Sequence, residues 1–216
     1  MNYQLETIVS QPFEQNSTIL WRKDSTDAIV FDPGMEPELI LESLAINGLT
    51  LVAVMLTHGH SDHIAGNAAM KQHFPDAPIL IGTGDAPLLL DPWLNLSGFF
   101  GTPLTSPPAD RLVIDGEILT IAGVTFEVRE IPGHSPGHVV YCVNDTSPPI
   151  IIGGDVLFRG GIGRTDFPGG SLKTLLHGID IKLRPLPENS IIYPGHGPVT
   201  TLGHEWRTNQ FLKLTS

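Results

Sequence analysis

A chain of 216 residues with 41% hydrophobic and 16% charged residues can bury a continuous core, which excludes a disordered chain. Twelve Lys and Arg against 23 Asp and Glu give a formal net charge of -11, a surface that repels phosphate backbones and anionic lipid, so neither nucleic acid nor membrane is expected as a partner. The single cysteine, Cys142, cannot close an intrachain disulfide, the N-terminus has no basic and apolar leader pattern, and no apolar run reaches the roughly 18 residues of a membrane helix. The expected location is the cytoplasm.

β-rich runs come first, at 3–9, 17–21 and 28–31, the last ending in the turn signal Asp32-Pro33-Gly34. Residues 36–47 place Leu39, Ile40, Leu44 and Ile46 at helical spacing, and Gly48 stops the helix. The apolar run 49–56 reads as a buried strand. A loop at 57–63 leads to a helix predicted over 64–73, and a strand follows at 79–81. The connection 91–110, with Pro92, Gly98, Pro103, Pro107 and Pro108, is long enough to be functional or mobile. Strands are expected near 112–114, 118–121, 124–131, 138–143 and 150–152, then a helix over 171–183, a strand at 191–193 and a short helix over 203–211. This order predicts an α/β protein, two β-sheets packed together with helices outside as a four-layer αββα sandwich. Neither side of the Pro-rich stretch looks able to bury a core alone, so one domain over 1–216 is expected.

The motif Thr57-His58-Gly59-His60-Ser61-Asp62-His63 puts three histidines and an aspartate directly after the buried run. Imidazole and carboxylate donors suit Zn, Fe or Mn, and the absence of thiolates argues against a Cys-type structural zinc. Four further loop sites have the same character: Asp32 after 28–31, His134 after 124–131, Asp155 after 150–152, and His196 after 191–193. Each follows an apolar strand beside glycine, and ligand sites in α/β sheets gather outside the carboxyl ends of strands. The spacing therefore points to one metal site assembled from separate strand ends.

Together with His134, Asp155 and His196, this motif resembles the metallo-β-lactamase superfamily. Asp155, where the β-lactamases proper carry cysteine, points to the glyoxalase II-like branch. The segments Pro132-Gly133-His134-Ser135-Pro136-Gly137-His138, Gly163-Arg164-Thr165-Asp166-Phe167-Pro168 and Pro194-Gly195-His196-Gly197-Pro198, with Gly203-His204-Glu205 and Asn209, resemble its single-domain bacterial hydroxyacylglutathione hydrolase type. The resemblance implies the αββα fold with the site at one edge of the sheets. It also implies two divalent metal ions, Zn first with Fe or Mn as alternatives. His58, His60 and His134 would hold the first, Asp62, His63 and His196 the second, and Asp155 would bridge them. A pair of metals ~3.5–4 Å apart lowers the pKa of bound water from about 15.7 toward 7. The implied reaction is attack of a metal-bridging hydroxide on a small-molecule thioester of the S-lactoylglutathione type. Asp62 and Asp155 would be the catalytic carboxylates, with Asp62 orienting the water. The chain ends 20 residues past His196, so the C-terminal helical domain with which two-domain glyoxalase II enzymes hold glutathione is expected to be absent. Alternatives are a persulfide dioxygenase with one Fe(II), or a lactonase or other ester hydrolase of the same fold. A monomer or small homo-oligomer is expected.

Other residues read more plainly. Asp32 is a turn former, to which the resemblance adds support for the 58–63 loop. His138 is structural or supporting, and His73, His177 and His204 are ordinary surface or packing histidines. Arg164 and Asp166 read as a pair bracing a loop, with substrate contact as the sharper alternative. Trp93, Phe99 and Phe100 either wall a pocket or cap the core, and Cys142 is a buried small hydrophobe.

Overall fold

Alternation along the strands decides the layers. In β3 (Asp27–Phe31) and β4 (Thr50–Met55), Ile29, Phe31, Ala53 and Met55 point to one face, while Ala28, Val30, Leu51 and Val54 point to the other, and both faces are buried. A strand buried on both sides reads as a continuous apolar run, which is why 49–56 shows no period. The structure, a computed structural model describing residues 2–215, has two six-stranded sheets stacked with helices on both outer faces. This is the four-layer αββα sandwich expected from the sequence. Among the described residues no helix is long and apolar enough to cross a membrane.

The first sheet runs in chain order from β1 (Tyr3–Ser10) and β2 (Gln15–Arg22) through β3 and β4 to β5 (Ile79–Gly82) and β6 (Arg111–Val113). It is antiparallel up to β3 and parallel from β3 onward. The parallel steps need crossovers, and α1 (Pro37–Ile46) supplies the first, burying Ile40 and Leu44 on the outer face. The second sheet contains β7 (Ile118–Ile121), β8 (Val124–Glu130), β9 (Val139–Val143), β10 (Ile150–Gly154), and the later strands β13 (Ile191–Pro194) and β14 (Thr200–Thr201). Its one parallel step, β10 to β13, crosses over through α4 (Leu172–Leu183), which is capped by the Ser171 side chain and packs Leu175, Ile179 and Leu183 outside the sheet. Between the sheets Phe31 meets Phe126 and Tyr141 at ring separations of 5.9 and 5.7 Å, and the Tyr141 hydroxyl donates to the Leu56 carbonyl.

Four local features differ from the sequence expectation. The helix expected over 64–73 is two pieces, α2 (Ser61–Ile64) and α3 (Asn67–His73), so Asp62 and His63 sit in a helical turn rather than in a loop. The break falls at Gly66, whose N–H donates to the Pro33 carbonyl; a Cβ there would lie 2.9 Å from the Gly34 oxygen, so this close approach requires glycine. A 3-10 helix covers Thr83–Leu90, and a two-strand hairpin of β11 (Leu157–Phe158) and β12 (Gly161–Ile162) follows β10. The helix expected over 203–211 is α5 (Leu202–Thr208), and a separate 3-10 turn covers Phe211–Thr215. The connection 91–110 is pinned: buried Asn95 accepts from Ser61 N–H through its carbonyl and donates through its side chain to Leu104 O.

Cys142 is fully buried between β9 and α4, and burial pushes its thiol up to about 12. The native protein is therefore expected to leave a thiol reagent such as Ellman's unreacted at pH 8 and to release one thiol on unfolding. The folded pKa lies above the unfolded value, so this thiol favours folding fully below the unfolded pKa of 9.0, and that contribution is lost as pH rises toward about 12. A readily titrated native thiol would contradict the packing.

Candidate metal centre

The site lies where the ends of β3, β4, β8, β10 and β13 meet. Residues 57–63 leave β4, with His58 on the loop and Asp62 and His63 on α2; His134 follows β8, Asp155 follows β10 and His196 follows β13. The chain turns here because the backbone must pass close to itself. A Cβ on Gly195 would lie 2.1 Å from Asp155 Oδ1 and 2.7 Å from His63 Cε1, a space open only to glycine.

Two triads form. Donor atoms of His58, His60 and His134 lie within 4.8 Å of one another, and so do those of Asp62, His63 and His196. Asp155 stands between them: Oδ2 is 3.4 Å from His134 Nε2 and 3.6 Å from His196 Nε2, and Oδ1 is 3.4 Å from His63 Nε2. The structure thus brings together all seven residues singled out in the sequence, grouped in the same two sets.

The remote ring nitrogens are held from behind. His134 Nδ1 donates to Arg164 O at 2.8 Å, His196 Nδ1 to Phe13 O at 3.0 Å, and His63 Nδ1 to Asp32 Oδ2 at 3.2 Å. His58 Nδ1 donates to Thr57 Oγ1 at 3.1 Å, and that hydroxyl donates to Asp32 Oδ2 at 2.7 Å. These bonds assign the proton to Nδ1 in four rings and turn the Nε2 lone pairs inward. Asp32 is therefore more than a turn former: it also accepts from Thr57 N–H at 2.7 Å and holds the start of the 57–63 loop. A third grouping of Asp32, His58 and His63 lies on this rear side, where its donors are already engaged in these bonds. His138 stacks on His58 at 4.8 Å, and its Nε2 accepts from Asp155 N–H at 3.0 Å, a supporting role.

The donor set fits divalent cations. His58 Nε2 faces His134 Nε2 at 3.3 Å, lone pair against lone pair, His63 Nε2 lies 3.4 Å from His196 Nε2 beside the Asp62 and Asp155 carboxylates, and Asp155 Oδ1 is buried without a hydrogen-bond donor. A positive centre between such atoms removes the repulsion and completes the carboxylate. The titration directions differ between the triads: neutral donors on one side, and carboxylates that favour a positive charge on the other. Burial, with the neighbouring imidazoles, holds His58 and His60 well below their ordinary value. Burial also pushes down on His63, but Asp155, Asp62 and Asp32 outweigh it and raise that imidazole to about 10. At Asp62 burial is outweighed by His63 and His196, which hold the carboxyl well below the usual range.

Three supports had no sequence signal. Asp85, fully buried in the 3-10 segment, accepts from Gly59 N–H, Ser135 Oγ–H and Gly137 N–H, joining two ligand loops. Asn16 donates to Pro194 O and Gly197 O on either side of His196, and Gln15 donates to Asp32 O. Their partners are distant in sequence and mostly backbone groups, which no local pattern reports. Phe100 reaches the cavity over the triads, whereas Trp93 and Phe99 pack on each other at 5.3 Å and stay exposed. Arg164 and Asp166 form an exposed pair with both contacts at 2.8 Å.

Residues 11–196 match the model of the metallo-beta-lactamase superfamily. The hydroxyacylglutathione hydrolase GloC of Haemophilus influenzae is 38% identical over 214 residues, covering 98% of this chain and 99% of that protein. The crystal structure of the BLEG-1 B3 metallo-beta-lactamase is 40% identical with a TM-score of 0.92, covering 97% of this chain and 99% of its own. The di-iron-bound form of TTHA1623 is 34% identical with a TM-score of 0.84, over 96% and 100%. The chain belongs to the metallo-beta-lactamase superfamily, as a metal-dependent hydrolase carrying His and Asp groups suited to divalent cations.

Proposed function

We propose that the protein hydrolyses small-molecule thioesters of the S-lactoylglutathione type, using two divalent cations held by the two triads with Asp155 between them. The carrying observation is the pair of triads sharing one carboxylate, a donor set made of nitrogen and oxygen alone. The name of the Haemophilus influenzae relative supports the substrate class. Zinc is the first choice, and the di-iron form of TTHA1623 keeps iron beside it, with manganese third.

Cations there supply a water with its pKa lowered from about 15.7 toward 7 and a charge that polarises the thioester carbonyl. The chain's own groups do the rest. Asp62, with its carboxyl ionised at neutral pH, lines the cavity and places Oδ2 3.4 Å from His196 Nε2, where it would accept a hydrogen bond from the attacking water and orient its oxygen. The Nδ1 bonds of His58, His63, His134 and His196 keep the rings from rotating away as charge develops. The departing thiolate, near pKa 8.5 for a cysteine-type thiol, leaves without a strong acid.

The test is S-lactoylglutathione hydrolysis by protein loaded separately with Zn, Fe and Mn, each sample analysed for metal content. Turnover that tracks two bound ions is expected. No turnover with two ions bound would reject this substrate, and one bound iron with oxygen uptake on glutathione persulfide would replace hydrolysis with dioxygenation.

A further inference from the structure

The cavity above the triads has a volume of about 440 Å³, a size suited to a small organic ligand (about 300–1,000 Å³). Beyond the triads its wall is apolar: Phe13, Leu96, Phe100, Phe158, Ile162 and Phe167. The rings form a connected lining. Phe158 meets the His196 ring edge-on at 5.9 Å, Phe167 meets His60 at 6.0 Å, and Phe13 meets Phe100 at 5.6 Å across the gap between two loops. Aromatic surface therefore starts at the imidazoles and continues to the rim, where Phe100 is half exposed.

Charge is distributed quite differently. Histidines aside, Arg164 is the one cationic side chain among the described lining residues. Its Nε and Nη2 are both taken by Asp166, and its guanidinium carbon lies 3.9 Å from the Phe167 ring centroid. The pair is neutral, and the planar group covers a ring instead of offering a fork to a carboxylate. A peptide thiol such as glutathione brings two carboxylates, and the one cation of the wall is already paired with Asp166. An apolar group beside the scissile carbonyl, in contrast, meets four phenylalanine rings.

We infer that the site selects its thioester by an apolar acyl group of aromatic size seated between Phe13, Phe100, Phe158 and Phe167, and that the thiol carrier contributes little to selection. This rests on the thioester-hydrolase reading and moves the preferred acyl group from lactoyl to one of aromatic size. In the reaction, the water oxygen forms the new bond to the acyl carbon and the C–S bond breaks. The sulfur takes the bonding pair and, finally, one proton of the water, giving a carboxylic acid and a free thiol.

The experiment crosses two acyl groups, lactoyl and phenylacetyl, with two thiols, glutathione and N-acetylcysteamine, on the metal-loaded protein. The kcat/KM for phenylacetyl is expected to exceed that for lactoyl by about tenfold or more on either thiol, the scale of one buried ring. The two thiols should differ by less than about threefold, because the wall's one cation already has a carboxylate partner. Phe100→Ala and Phe13→Ala should each lower the phenylacetyl-to-lactoyl ratio about tenfold, and Phe100→Leu should restore most of it. Calorimetric titration with phenylacetate and with lactate supplies a readout apart from turnover, phenylacetate binding tighter in the parent and losing that advantage in Phe100→Ala. A preference for lactoyl, a preference of more than about tenfold for glutathione, or a ratio unmoved in both alanine variants would overturn the inference. Failure to cleave any of the four compounds would overturn the thioesterase reading instead, and the titrations would still decide whether the aromatic wall selects the acyl group.

Discussion

Asp155→Ala is expected to lower kcat by about 10³-fold or more and to reduce bound metal at both triads, because a carboxylate acting on both centres is worth several kcal/mol of charge stabilisation. The geometry is specific to this residue. Asp62 pairs with His63 and His196, and Asp32 lies behind the rings, whereas Asp155 reaches His134 through Oδ2 and His63 through Oδ1. Its side chain is 9% exposed, so no solvent fills its place easily. Asp62→Ala provides the contrast and should weaken only the ion shared with His63 and His196. Metal analysis of both variants, after dialysis against the same buffered zinc, separates the cases. Full activity in Asp155→Ala would remove Asp155 from the site, and loss of a single ion would assign it to one triad instead of both.

The same arrangement explains why the site residues were legible in the sequence. Ligands that must converge from four strand ends sit shortly after apolar runs and near glycines, and each of those features is local. His58, His60, His134, Asp155 and His196 all carry that signature, and Asp62 and His63 follow in the same motif, as the Asp32 turn does after its own strand. The sandwich was legible for a related reason: Val30, Val54 and Cys142 face outward under helices while Phe31, Met55 and Tyr141 face inward, so the buried strands stand out as uninterrupted apolar runs.

What stayed hidden depends on partners distant in sequence. The strands Leu157–Phe158 and Gly161–Ile162 exist through their mutual pairing and have no length over which propensity could accumulate. The helix break at Gly66 follows from contact with the Pro33 and Gly34 backbone. Phe13 and Phe158 belong to no motif of the sequence, and only the fold brings them over the triads.

Asp85 is the clearest such case, and its removal carries the second large effect. In the segment Gly82-Thr83-Gly84-Asp85-Ala86-Pro87, Asp85 is 0% exposed and its Oδ2 accepts from Gly59 N–H at 3.0 Å and Ser135 Oγ–H at 2.6 Å while Oδ1 accepts from Gly137 N–H. Burial pushes its carboxyl up, and the bonds from Ser135, Gly137 and Gly59 oppose that push only in part. Asp85→Ala would leave two backbone N–H groups and a hydroxyl dry and unpaired, at about 1–3 kcal/mol each. A loss of about 3–5 kcal/mol corresponds to a Tm lower by roughly 6–20 °C in a chain of this size. The same carboxylate fixes the loop carrying His58 and His60 against the loop carrying His134, so metal binding at that triad should weaken about 10–100-fold while the triad of Asp62, His63 and His196 is nearly unaffected. Asp85→Asn keeps one acceptor oxygen but turns an NH2 toward the other donors, and should fall between the two. Thermal melts paired with competitive metal titrations distinguish the outcomes. A lower Tm with both metal affinities unchanged would make Asp85 a brace of the fold alone, because a group that positions the His58, His60 and His134 donors cannot be removed without loosening what they hold.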